Sequence, residues 1–262
     1  MCTIVAIHGR NPSYPLIVAA NRDEFYARAA SAPRPVGDDP RIVAGVDLAK
    51  GGSWMGANAR GLFVALTNQR QHDGADPARA SRGEVVMDAL AMESVEAVDD
   101  LLGAIDGREY NGFNLMYGDA DGLRVAYARS DRTAIEVEAL APGVWVLPND
   151  RIGSPDFPKT ARAHALVAPI AEAPWPAVRD GLQRLLADHS RPPLEAVPPP
   201  PHGSVFTRET LHAIQQICVH TPVYGTKSAT LLALSPGRVE HYLYAEGPPC
   251  QSTFEPVRAL SR

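Results

Sequence analysis

Apolar residues fall in blocks of alternating period along this chain: strands, then helices, strands again, helices again, and strands to close. A doubly wound parallel sheet needs strict strand–helix alternation, so that architecture is excluded. The order instead predicts an α+β fold, a layered αββα sandwich with two mainly antiparallel sheets. Cys2–Ile7 and Leu16–Asn21 read as the first two strands, joined by the turn formers of His8 to Pro15. A second hairpin runs from Gly51–Gly56 through a turn at Asn58–Gly61 to Leu62–Leu66, and closes on Thr67-Asn68-Gln69-Arg70. Helical spacing comes next at Val85, Val86, Ala89, Leu90 and at Val95, Val98, Leu101, Leu102, Ile105.

Strands return at Phe113–Tyr117, Leu123–Ala128, Thr133–Ala139 and Val144–Leu147. Helices are predicted over Pro158–Ala173, Pro176–His189 and, more briefly, Arg208–Ile217. Thr226–Ser235 and Arg238–Ala245 form a last hairpin about Pro236-Gly237. The proline-rich stretch at 192–203 reads as a surface loop of a single domain spanning 1–262, because the residues after it are too few to stand alone.

Composition removes several classes of function. Hydrophobic residues make up 45% and charged residues 21%, which argues against wholesale disorder. The net charge of −5 and the lack of a basic stripe argue against a nucleic-acid partner. No run approaches the ~18–20 apolar residues of a membrane span. The apolar start ends at His8-Gly9-Arg10, too short for a signal peptide, so the expected location is cytoplasmic.

The three cysteines, Cys2, Cys218 and Cys250, are no disulfide framework and include no Cys-x-x-Cys pair. Cys218 and Cys250 read as buried small apolar residues. Cys218-Val219-His220 is too tight for a standard zinc pair and no second pair accompanies it, so no metal ligands are assigned. Asp119-Ala120-Asp121-Gly122 begins like a calcium loop, but its closing position is Ser130 rather than Glu, and a tight turn fits better. Phosphate-binding loops, dinucleotide fingerprints and serine elbows are missing from the sequence. Trp54 and Trp145 read as core or pocket wall.

Cys2 carries a chemical argument. Removal of Met1 would give one residue both a thiol and a free α-amino group. Their ordinary pKa values, about 8.5 and about 7.7–8.0, make the amine a ready base for the thiol. If the first hairpin is symmetric about Pro12, Cys2 lies opposite Arg22, and the open end gathers Asn21-Arg22-Asp23-Glu24. A guanidinium there would favour the thiolate, and a carboxylate would hold the ammonium. Neighbours on an extended strand face opposite ways, so Arg22 and Glu24 share a face that Asp23 leaves unless a bulge intervenes. Which acid serves the amine stays open, with Asp23 slightly preferred. Asn68 and Asn149, each ending an apolar strand, are candidate oxyanion donors.

Met-Cys-Thr at the start and Ala20-Asn21-Arg22-Asp23-Glu24-Phe25-Tyr26 resemble the NRDE-motif family, also called transport and Golgi organisation protein 2. Further matches run in order: Gly51-Gly52-Ser53-Trp54-Met55-Gly56, Leu66-Thr67-Asn68, Ser81-Arg82-Gly83-Glu84, Tyr110-Asn111-Gly112-Phe113-Asn114, Leu147-Pro148-Asn149 and Tyr224-Gly225-Thr226-Lys227-Ser228. The resemblance implies the αββα fold of the N-terminal-nucleophile (Ntn) hydrolases. It implies Cys2 as nucleophile, Arg22 as its electrostatic partner, Asp23 as orienter of the amine, and Asn149 with Asn68 as oxyanion donors. It places Glu24, Trp54, Asn114 and Lys227 at the substrate, with Lys227 standing where the family often has arginine. The implied reaction is hydrolysis of a non-peptide amide or related acyl compound, with no cofactor required. The alternative is a carrier on the same fold, serving haem trafficking or lipid and acyl-CoA homeostasis, with haem as a ligand. Under either reading the partner is a small molecule. A third reading, a structural or interaction protein, leaves the polar hairpin end unexplained.

Overall fold

The computed structural model of the protein describes residues 2–37 and 39–260. In chain order the strands and helices are β1 (Thr3–His8), β2 (Leu16–Phe25), β3 (Arg34–Val36), β4 (Asp39–Ala44), β5 (Met55–Asn58), β6 (Phe63–Asn68), α1 (Arg82–Leu90), α2 (Val95–Ala104), β7 (Phe113–Gly118), β8 (Leu123–Ala128), β9 (Glu136–Ala139) and β10 (Gly143–Leu147). After these come α3 (Lys159–Val167), α4 (Trp175–Leu186), α5 (Arg208–Ala213), β11 (Tyr224–Ser235), β12 (Arg238–Glu246) and β13 (Glu255–Pro256).

The strands form two antiparallel sheets. One has six strands in the order β10-β1-β2-β11-β12-β13, and the other has seven in the order β3 through β9. Their inner faces share one apolar core, built from Ile4, Ala6, Val18, Ala20, Met55, Phe63, Ala65, Met116 and Leu232 among others. Val85, Val86, Ala89 and Leu90 of α1, with Val98 and Leu102 of α2, cover the outer face of the seven-stranded sheet. Val178, Leu182, Leu185 and Leu186 of α4, with Ala163 and Val167 of α3, cover the outer face of the six-stranded one. The result is the four-layer αββα sandwich that the order of periodicities predicts.

The β1–β2 hairpin has the predicted symmetry, with register running from Thr3↔Asn21 to His8↔Leu16. Its tip is fixed by Asn11, whose Oδ1 accepts from the N–H groups of Ser13 (3.0 Å) and Tyr14 (3.2 Å). The same side chain donates to the carbonyls of Ala171 and Ala173 beyond α3, at 3.0 and 2.9 Å. Even-numbered residues of β1 and β2 face the opposite sheet, and odd-numbered ones face α3 and α4. That parity decides where every polar residue at the open end of the hairpin points.

Several boundaries differ from the periodicity. The helix expected over 158–173 stops at Val167 and continues as one tighter turn over Ala168–Ile170, because Pro169 has no N–H for the helical ladder. The helix expected to reach His189 stops at Leu186, and the one expected to reach Ile217 stops at Ala213. Residues 51–53, expected to begin a strand, are irregular and follow a turn over 48–50 that is closed by the Gly51 N–H on the Asp47 carbonyl at 2.8 Å. The short edge strands β3 and β13, of three and two residues, are too brief to show a period.

The proline-rich stretch is tied down within the fold. Val197 is fully buried with Leu211, Ile214 and Val219 in a small separate cluster. The segment after it is held by Val205 N–H on the His72 carbonyl at 2.8 Å. No described helix is long and apolar enough to cross a membrane.

Candidate active site at the end of the sandwich

The site lies where β1, β2, β6 and β10 end together. Continued one step past Thr3↔Asn21, the β1–β2 register puts Cys2 level with Arg22. Continued two steps past Ile4↔Leu147, the β1–β10 register puts Asn149 level with Cys2 on its other side. Sheet geometry alone therefore aligns Asn149, Cys2 and Arg22 in one row.

Parity then divides the side chains. Cys2 and Arg22 share the face between the sheets. There the Arg22 guanidinium stacks over Trp54, 4.2 Å from the ring centroid, and reaches Asp47 at 3.4 Å. Asn21 and Asp23 take the helix-side face. Asn21 donates to the carbonyls of Leu186 (2.8 Å) and Ile217 (2.9 Å). Asp23 accepts a 2.6 Å hydrogen bond from the Thr226 hydroxyl, and its own carbonyl accepts from the Tyr224 hydroxyl at 2.8 Å. A register shift does occur here, between Thr226 and Ser228 on β11 rather than on β2. It leaves Lys227 as the extra residue opposite the Arg22–Asp23 step, and the alternation on β2 is unbroken.

Of the two acids, Asp23 is the one electrostatically coupled to Cys2: its backbone N–H bonds the Cys2 sulfur and its carboxylate acts on the thiol. Glu24 is engaged elsewhere, accepting from the Phe25 N–H at 2.9 Å and pairing with Arg28 at 3.9 Å. Burial raises the Cys2 thiol and the Asp23 charge adds to this, while the Asp23 N–H and Arg22 pull the other way; the balance is upward. The resting sulfur is therefore a thiol that needs a base to attack. Burial also raises Asp23, opposed by the charge of Lys159 and the Thr226 hydroxyl. Lys159, itself buried, is pushed down by desolvation and partly restored by Asp23.

A cavity of about 300 Å³ opens at Cys2. Of the predicted residues, Arg22, Asp23, Glu24, Trp54 and Asn68 line it. Asn149 sits just behind, fully buried, with one amide N–H on the Asn68 carbonyl at 2.6 Å. Two predicted substrate contacts do not reach the cavity. Asn114 is fully enclosed, its amide donating to the Thr67 hydroxyl (3.0 Å) and the Asp150 carbonyl (3.0 Å) and its oxygen accepting from Gln69 (2.9 Å). It braces the ends of β6 and β7. Lys227 instead donates to the carbonyls of Tyr26 (2.8 Å) and Arg28 (2.6 Å), closing the loop after β2. Trp145 lies against the core away from the cavity, its Nε1 donating to the Ala141 carbonyl at 2.9 Å.

The cavity also has walls that periodicity could not show. Asp47 accepts from Arg28 at 2.6 Å and from the N–H groups of Ala49 and Lys50, and so gathers the loop after β4 around Arg22. Burial works to raise Asp47, but the bond and charge of Arg28 and those two N–H groups outweigh it and leave it below its ordinary value. Arg82, at the start of α1, lies within the field of both Cys2 and Glu24. Its signal in the sequence was the Ser81-Arg82-Gly83-Glu84 motif. The approach of α1 depends on two glycines: a Cβ on Gly52 would stand 2.4 Å from the Gly83 carbonyl carbon.

The model of the family "Transport and Golgi organisation 2" matches residues 1–244. The chain belongs to that family. A bovine member, transport and Golgi organization protein 2 homolog, is 34% identical over 232 residues, covering 84% of this chain and 82% of that protein. The human homolog is 31% identical with the same coverage. Among solved structures, conjugated bile acid hydrolase from Clostridium perfringens superposes with a TM-score of 0.55 at 14% identity, over 98% of this chain and 96% of that one. The Caenorhabditis elegans ortholog of N-acylethanolamine-hydrolyzing acid amidase superposes with a TM-score of 0.54 at 13% identity, over 90% and 93%. These likenesses establish the Ntn-hydrolase fold for this family member.

One expectation about cysteine needs correction. Cys250 is exposed, not a buried apolar filler, whereas Cys218 is buried. In the fold, His189 and Cys250 lie beside Cys218 and His220.

Proposed function

We propose that the protein is an N-terminal-nucleophile cysteine hydrolase that cleaves a small non-peptide amide or related acyl compound. The observation that carries this reading is the placement of Cys2. Its thiol shares a face with the Arg22 guanidinium, Asp23 stands behind on the opposite face, and the cavity opens directly onto the sulfur.

In the proposed cycle, removal of Met1 leaves the α-amino group on Cys2. The amine takes the thiol proton as sulfur attacks the substrate carbonyl carbon, and Arg22 stabilises the thiolate as it forms. Asp23, held by Thr226, orients the resulting ammonium. The second amide N–H of Asn149, with a donor at Asn68, receives the charge on the oxygen. The carbon–nitrogen bond breaks, and the leaving amine takes the proton back from the ammonium. The thioester on Cys2 is then attacked by water, whose proton passes to the α-amine. The carbon–sulfur bond breaks, the thiol is regenerated and the acid departs.

Support comes from the family's fold, which this chain shares with two hydrolytic enzymes, a conjugated bile acid hydrolase and an ortholog of an N-acylethanolamine-hydrolyzing acid amidase. The test is to incubate the protein with a panel of acyl amides and quench in acid for mass spectrometry. An acyl adduct on the Cys2 peptide, missing from Cys2→Ala, supports the reading. Ligand bound in the cavity with neither adduct nor product opposes it and favours a carrier.

A further inference from the structure

A second cluster of reactive side chains lies apart from the cavity. His189 comes just after α4, Cys218 and His220 flank Val219 on the segment leading into β11, and Cys250 lies in the turn after β12. One potential ligand atom from each lies within 4.8 Å of the other three. The two sulfurs are 3.7 Å apart. His220 Nε2 stands 3.6 Å from the Cys218 sulfur and 3.3 Å from that of Cys250.

Those separations are close to the edges of a metal tetrahedron. Zinc binds thiolate sulfur at about 2.3 Å and imidazole nitrogen at about 2.0–2.1 Å, which puts two sulfurs about 3.8 Å apart and sulfur and nitrogen about 3.6 Å apart. A thiol is a weak hydrogen-bonding group, so polar pairing gives little reason for two thiols and two imidazoles to converge from three distant parts of the chain.

The surroundings hold the ligands in place. His189 Nδ1 donates to the Cys218 carbonyl at 3.0 Å, which fixes its tautomer and leaves Nε2 free to bind. Gln216, buried, donates to the His189 carbonyl at 3.0 Å and accepts from the His220 N–H at 3.4 Å, so one amide sets the backbone of both histidines. The Cys218 N–H is held by the Asp188 carbonyl at 2.9 Å.

We infer that His189, Cys218, His220 and Cys250 form a tetrahedral binding site for a thiophilic divalent cation, zinc by its ligand chemistry. Four protein ligands close the coordination sphere, so the site is structural rather than catalytic. Coordination takes both cysteines as thiolates, their protons passing to solvent. The ion joins the end of α4, the entry to β11 and the turn after β12.

Its reach extends to the first site. The Val219 carbonyl accepts from the Thr226 N–H at 2.8 Å, and the Val219 N–H donates to the Thr226 hydroxyl at 2.8 Å. That hydroxyl holds Asp23. The ion thus braces the positioning residue behind Asp23 without touching substrate, and its presence does not depend on the proposed reaction.

The test uses the full chain, purified without chelator, with metal content measured by inductively coupled plasma mass spectrometry. Close to one zinc per chain is expected in the wild type and in Cys2→Ser. Content falls by about ten-fold or more in Cys250→Ser and in His189→Gln, both at exposed positions, with circular dichroism of each variant confirming that it is folded. Metal-stripped protein titrated with cobalt(II) develops the absorption of a tetrahedral thiolate complex, which these two variants lose. Three outcomes overturn the inference: neither zinc nor cobalt binds stoichiometrically, both variants bind as the wild type does, or freshly isolated protein carries a Cys218–Cys250 disulfide.

Discussion

The Arg22 guanidinium lies 4.2 Å above the ring of Trp54 and on the same face as Cys2, with its outer edge toward Asp47 at 3.4 Å. The stack fixes the plane of a cation whose side chain is only 5% exposed. In so dry a setting a cation–π contact is worth up to about 2 kcal/mol. Arg22→Lys keeps the charge but loses the planar stack and the fork. The variant is expected to label at Cys2 about ten-fold more slowly with iodoacetamide, a loss of about 1.4 kcal/mol. Peptide mass spectrometry over a time course gives the rate.

Thr226 sets the pH at which Asp23 can hold the amine. Its hydroxyl favours the carboxylate and works against the burial that raises Asp23. Thr226→Val removes that bond, so Asp23 protonates at a higher pH than in the wild type. Turnover that needs the carboxylate is then lost at a higher pH as the solution is acidified. The variant also leaves the buried Val219 N–H without its acceptor, at about 1–3 kcal/mol of stability. The acidic limb of the rate profile and a urea midpoint separate the two effects.

Gly52 and Gly83 meet backbone to backbone, and a Cβ at Gly52 would lie 2.4 Å from the Gly83 carbonyl carbon. No side chain can rotate away there, so Gly52→Ala must push the start of α1 off the loop before β5. A cost of about 1–3 kcal/mol is expected, as for overpacking in a core. Because Arg82 rides on that helix start, labelling of Cys2 should change as well. Chemical denaturation and labelling on one preparation check both effects.

Burial displaces Lys159 and Asp23 each toward its own neutral form. Between the depressed native pKa of Lys159 and its ordinary 10.5, the unfolded chain holds a proton that the native chain lacks. Stability from this group therefore rises with pH across that window and is lost as pH falls through it. Lys159→Met removes the group, and the alkaline rise in the thermal midpoint should disappear. Melting the two proteins over that range tests this.

Much of the site was legible because it comes from counting. The turn formers around Pro12 fix the hairpin, the hairpin fixes Cys2 opposite Arg22, and period-two alternation separates Arg22 from Asp23. The competition between Asp23 and Glu24 was not legible, because Thr226 and Arg28, which decide it, approach from outside the strand. Asn114 and Lys227 belong to matching motifs, yet both spend their polar groups on bracing the ends of strands and loops. The closeness of His189 to Cys250 was invisible because it joins segments far apart in the sequence. The short strands β3 and β13 have too few residues to show any spacing.

The central claim is that Cys2 becomes a terminal nucleophile, and intact mass combined with limiting iodoacetamide tests it most directly. Folded protein lacking Met1 is expected, with Cys2 labelled ahead of both Cys218 and the exposed Cys250. Folded protein that keeps Met1, or a Cys2 that labels no faster than Cys250, would contradict it.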